Sequence, residues 1–195
     1  MYRPEEMATF FNSRSTIPAR RLAIAGKAWN LYSGSNPALL ERFAKKHLKT
    51  EPVLCNALLC QLQQYPSVKS GLSISEEALL VEVEARRNGL RCVAYVLGYD
   101  DQFRTGDDEL FQSIGQFLQG DVPLIERNEK DVRITSMKEL KKIELSLTAA
   151  GRDVLSGKAD QIALNGIDRW IGGVHLKGKA VPWRWDADQR SLKKH

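Results

Sequence analysis

From Ser73 to Gly157 the apolar spacing switches from a helical period to a two-residue period and back. That order of elements constrains the fold of this 195-residue chain more than any other feature. Ser73-Ile74-Ser75-Glu76 is a capping box, in which hydroxyl and carboxylate each accept from an orphan amide at a helix start. The helix it opens is read as burying Ala78, Leu79, Val81 and Val83, and Asn88-Gly89 predicts a left-handed cap at its end. Cys92 to Leu97 form a short apolar segment closed by Gly98. Asp107-Asp108-Glu109 then open a helix with Leu110, Phe111, Ile114, Phe117 and Leu118 on one face, ended by Gly120. Leu124–Arg127 and Val132–Thr135 flank the polar turn Asn128–Asp131, which predicts a hairpin. Ile143, Leu145 and Leu147 alternate with polar residues as a half-buried strand does, and Thr148 caps a last helix stopped by Gly157. Helix, short helix, helix, hairpin, strand, helix is the order of a winged helix, a helix-turn-helix with a β-wing.

The first 66 residues are read as a helical bundle. Pro18, Pro37 and Pro52 each stand at a helix head, where the missing N–H has no helical partner to lose. Asn36 supplies a cap for the second of these helices. Glu5–Phe11 predicts a short leading helix, and Trp29 and Tyr32, at i and i+3, are expected in the core. Ser67–Gly71 is turn-rich and marks the boundary. The expected architecture is mainly α with a small β component: a helical bundle over 1–66, then a winged-helix-like domain over 67–195 that ends in a hairpin. No run of ~18 apolar residues is present, which predicts no membrane contact by a spanning helix. Three cysteines give no disulfide framework and fit a reducing cytoplasm. Cys55 and Cys60 lack metal-site spacing and no Gly-rich phosphate loop occurs, so neither metal nor cofactor is expected.

The net charge is +5, but it is unevenly spread. Between Gly98 and Glu126 seven carboxylates face one arginine, a local charge of −6 that leaves +11 for the rest. In a DNA-reading winged helix, Asp107–Gln119 enters the major groove. That helix contains no Lys or Arg. Its outward positions are read as Asp108, Gln112, Ser113, Gln116 and Gln119, with Lys130 and Arg133 on the wing. Two glutamines suit adenine, yet without cations the counterion-release contribution is absent. This face therefore predicts a protein partner or self-association, with weak, non-specific nucleic-acid contact. A DNA-binding transcriptional regulator is the alternative.

The least generic segment is Ala163–Leu176. Asn165-Gly166 and Gly172-Gly173 permit tight turns. Val174–Lys177 and Ala180–Trp185 predict a final hairpin around Gly178. Asp168, Arg169 and His175 are the weak candidates for a catalytic constellation, since a carboxylate orients an imidazole as general base. No nucleophile elbow accompanies them. The stronger reading is an architectural latch over Asn165–His175, with Trp170 buried and Asp168 paired to Arg169.

The stretch LTAAGRDVLSGKADQIALNGIDRWIGGVHL, with YPSVKSGLSISEEALL and AGKAWNLYSGSNPALLERF, resembles the C-terminal two-thirds of a bacterial family of uncharacterised proteins with a domain of unknown function. The LNGIDRWIGGVHL motif is specific to that resemblance, which spans most of the chain. Members are usually longer, so the expectation is a short form without their extra N-terminal domain. The resemblance implies a bacterial cytoplasmic protein and carries no activity and no functional residues.

Overall fold

The computed structural model describes residues 3–98, 105–129 and 133–195. Prolines and caps set the first helices: α1 (Pro4–Asn12), α2 (Ala19–Tyr32), α3 (Pro37–His47) and α4 (Pro52–Leu62). Proline opens α1, α3 and α4, and Asn36 Oδ1 accepts from the Ala38 N–H at 3.2 Å to cap α3. The middle of the chain holds α5 (Ile74–Arg86), α6 (Gly89–Gly98), α7 (Asp107–Gln119), β1 (Ile125–Arg127), α8 (Met137–Leu140), β2 (Leu145–Leu147) and α9 (Ala149–Leu155). The last part holds α10 (Gln161–Asn165), β3 (Ile167–Ile171), β4 (Val174–Gly178), β5 (Trp183–Asp186) and β6 (Ser191–Lys194). Among the described residues the protein is mainly α with a small β component: about 53% helix, ten helices and three two-stranded antiparallel sheets.

Two apolar cores form. The first gathers α5, α6, α7, β1, β2 and α9 around Leu79, Leu80, Val93, Ile114, Phe117 and Ile125. The second gathers Leu40, Leu62 and Tyr65 with Ile162, Ile171, Leu176, Val181 and Trp185. This second core draws on both sides of the 66/67 boundary. Ser67–Gly71 is clasped by β5: the Val68 N–H donates to the Trp185 carbonyl at 2.9 Å and the Trp185 N–H to the Pro66 carbonyl at 2.8 Å.

Strand pairing departs from the sequence expectation in two places. β1 pairs with β2, Ile125 opposite Leu147 and Arg127 opposite Leu145, and not with a strand at Val132–Thr135. Residues 133–135 form no strand, and Val132 lies outside the described residues. Burial explains the choice, since Ile125, Leu145 and Leu147 all enter the first core while Ile134 is only half-buried. The single terminal hairpin is replaced by two, β3 with β4 and β5 with β6. Gly172-Gly173 forms a two-residue turn with Gly172 at φ 56, which closes Ile171 onto Val174. Asn88-Gly89 is not the cap of α5 either. Arg87 takes the left-handed conformation at φ 64, and Asn88 Oδ1 accepts from the Arg91 N–H at 3.2 Å to start α6.

Periodicity also assigned some faces to the wrong side. Trp29 is 65% exposed, because Ala28 is the one fully buried residue of α2, while Tyr32 is half-buried. Val81 is exposed on the outer side of α5. Met7, Phe10 and Leu22, to which the sequence reading assigned no face, are exposed on α1 and α2.

Candidate functional site

The Asn165–His175 motif is built by three devices. Asn165 ends α10, and its side-chain amide acts like a strand edge: Oδ1 accepts from the Val122 N–H at 2.7 Å, and Nδ2 donates to the Val122 carbonyl at 3.0 Å and to Gln161 Oε1 at 2.8 Å. This ties the loop after α7 to the start of β3. Gly166 follows at φ 73, a turn that favours glycine. At the other end, the Gly173 N–H donates to the Tyr32 carbonyl at 2.9 Å, and a Cβ at Gly172 or Gly173 would run into the Tyr32 or Ser33 carbonyl. The glycine pair lets the hairpin tip lie against the turn between α2 and α3.

Adjacent residues on a strand point to opposite faces, so Asp168 and Arg169 cannot pair as expected. Arg169 instead reaches the carboxylate of Glu76, ninety-three residues away and buried at the start of α5. Glu76 also accepts from the Ser73 N–H at 2.7 Å, the capping box of the sequence. Burial alone pushes the Glu76 carboxyl up, but the Arg169 guanidinium and the Ser73 bonds outweigh it and hold the group below its ordinary value. Glu76 in turn holds the proton on Arg169 more firmly than usual.

On the other face, Asp168 Oδ1 lies 2.6 Å from His175 Nε2 and its Oδ2 3.3 Å from Lys177 Nζ. These contacts, His175 first, hold the Asp168 carboxyl below its usual value. The Trp170 and His175 rings stack at 4.5 Å and 6°. The expected burial of Trp170 is overturned, for it is 65% exposed. Among the described residues its stacking on His175 is the one aromatic contact it loses on truncation, so Trp170→Ala is expected to cost no more than ~1 kcal/mol in a thermal melt. The three catalytic candidates thus do not converge: Asp168 and His175 meet, and Arg169 faces away. Among the described residues no group of three or more His, Cys, Asp or Glu is placed to hold a metal ion.

A polar groove runs between α7 and β3. Its wider part, about 760 Å³, is lined by Gln112, Gly115, Gln116 and Gln119 of α7 and by Asp168, Arg169 and Lys179. A narrower continuation of about 260 Å³ carries Glu109, Gln61 and Trp170. Asp108, Gln112, Gln116 and Gln119 are exposed as expected, but Ser113 is buried, its hydroxyl donating to the Glu109 carbonyl at 3.0 Å. Ser113 lies one residue before Ile114, on the core side of the helix. Arg133 is exposed, and Lys130 lies outside the described residues. Sequence reasoning missed Glu76, Gly115 and Lys179 as parts of this groove. Only Glu76 left a trace, as the carboxylate of the Ser73–Glu76 capping box, which requires a cation once buried. Compared with known proteins, the chain matches no family model, no curated protein and no solved structure.

Proposed function

We propose that this chain is a non-enzymatic, protein-facing interaction module built on a winged helix. The winged-helix reading draws support from the backbone around β2. The Leu145 N–H donates to the Arg87 carbonyl at 2.6 Å, the Gly89 N–H donates to the Ile143 carbonyl at 3.1 Å, and Asn88 bridges Glu144 antiparallel. The link between α5 and α6 thereby becomes a third rung beside β2 and β1. On this reading α7 corresponds to the second helix of a helix-turn-helix, and the chain between β1 and β2 to the wing.

One observation carries the protein-facing reading. The exposed face of α7 bears glutamines and carboxylates without a cation, and it lines a groove whose far side is β3. A duplex needs a protruding, cation-flanked helix to fill its major groove. The DNA-binding alternative rests on the basic residues between β1 and β2, among them Arg133, Lys138, Lys141 and Lys142, and the enzyme alternative on an exposed Asp168–His175 contact from which Arg169 turns away. Self-association through the exposed apolar residues of α1 and α2 belongs to the same reading. A cytoplasmic setting suits three buried free thiols.

Titration with duplex DNA tests the reading. Binding is expected to be weak and non-specific, with an affinity that falls steeply as salt rises. Sequence-selective binding near ~10 nM in ~150 mM salt, lost in Gln112→Ala and Gln116→Ala, overturns it in favour of a DNA regulator.

A further inference from the structure

Among the described residues β3 has β4 on one side and no strand on the other. The Gly172-Gly173 turn closes Ile171 onto Val174, so the alternation of antiparallel bonds turns the N–H and C=O of Asp168 and Trp170 to the outer edge. These outer groups pair with no other backbone group among the described residues. Gln112, Gln116 and Gln119 line the same groove, and their carboxamides are likewise unpartnered among the described residues.

The two rows match in spacing. Outward groups on a strand repeat every two residues, ~6.6 Å. Gln112 and Gln116 lie four residues apart on α7, an axial rise of ~6 Å. Only a chain that offers donors and acceptors along both edges at that repeat satisfies both rows, and an extended polypeptide backbone does so. Gly115 keeps the α7 wall flat between the glutamines, with nothing within 4 Å of the place its Cβ would take. The middle of the groove is neutralised by the Glu76–Arg169 pair, while Glu109 lies at one end and Lys179 at the other.

We propose that this groove binds an extended polypeptide segment as an added strand on the outer edge of β3, the α7 glutamines holding its other edge. The segment carries a basic residue toward Glu109 and an acidic residue or terminal carboxylate toward Lys179. This inference rests on the protein-facing reading and adds the form and polarity of the partner.

The test pans a random library of linear nine-residue peptides against the full chain and maps the enriched peptides by NMR and hydrogen exchange. Peptides with opposite charges at their two ends are expected to be enriched. They should protect the Asp168 and Trp170 amides and shift the Gln112 and Gln116 side-chain amides. Methylating alternate backbone nitrogens of the peptide should weaken binding at least about tenfold, since strand addition rests on main-chain bonds. Gly115→Leu should weaken it as much without lowering the melting temperature. An unenriched library, or binders that map elsewhere, overturns the proposal. Groove binding that survives N-methylation overturns strand addition but leaves the protein-facing reading standing. Groove signals moved by duplex DNA and by no peptide overturn both.

Discussion

Replacing Arg169 by methionine is expected to cost about 3 kcal/mol, because it strands the buried Glu76 carboxylate without its cation. The lower end of the usual range applies, since 27% of the Arg169 side chain is exposed. The pair holds the base of β3 on the N-terminus of α5, so the change loosens the seam between the two cores. The pH dependence gives a second readout. In the native protein the Glu76 pKa lies below its ordinary value of 4.5, so its contribution to stability is complete above that value and is lost as pH falls through the folded-state pKa. In Arg169→Met the guanidinium that holds the pKa down is gone, so the folded pKa rises and the stability this group contributes at higher pH shrinks. Urea midpoints measured between pH ~3 and ~7 should therefore show the Arg169→Met deficit growing with pH. Glu76→Gln in the same background keeps a capping acceptor and removes the stranded charge, so it should recover part of the loss. A deficit that is flat with pH, or no recovery in the double variant, removes the ion pair from its place in the fold.

Gly173→Ala is expected to lower stability by about 3 kcal/mol or more, a fall in melting temperature of about 6–12 °C for a chain of this size. The added methyl would occupy the space of the Ser33 carbonyl, which is backbone and cannot rotate away. The hairpin cannot simply retreat, because Ile171 and Val174 flank the turn inside the second core and the Tyr65 hydroxyl reaches the Ile171 carbonyl at 3.5 Å. Gly115→Ala is the matched control. Its Cβ meets nothing, and alanine favours a helix interior over glycine by up to ~1 kcal/mol, so its melting temperature should rise. Equal melting temperatures for Gly173→Ala and the native protein would remove the hairpin tip from the α2–α3 turn.

Helix starts were the most legible part of the fold because their signals are local. The Ser73–Glu76 box, Asn36-Pro37 and the acidic first turn of α7 stand where the sequence put them. Strand partners were not legible. Leu124–Arg127 reads as one side of a hairpin, but its mate, Leu145–Leu147, is chosen by a core assembled from distant helices. The faces of α2 and β3 failed for a related reason. Periodicity tells which side chains share a face, and only the neighbours tell which face turns inward, so Trp29 was placed inside by its spacing and Trp170 as the anchor of a latch, although both are exposed. Of the groove, the glutamines of α7 were found from helical spacing. Arg169 was noticed, but its partner was sought next door in sequence rather than at Glu76. The strand edge that faces those glutamines could be seen only once β3 had a single mate.

The interleaving of the two cores sets a timetable on the ribosome. The core around Leu79, Phe117 and Ile125 uses residues 72–154 and is complete while the C-terminal hairpins are still unmade. Leu40, Leu62 and Tyr65 emerge earlier, yet their apolar partners come last. Tyr65 waits for Ile171, 106 residues downstream, which at ~5–20 residues per second is a delay of about 5–20 s. By the end of that interval α3 and α4 present an uncovered apolar surface beside a finished neighbour. The segment most in need of a chaperone during synthesis is therefore one made well before its partners, and its exposure ends only when Trp185 closes over it.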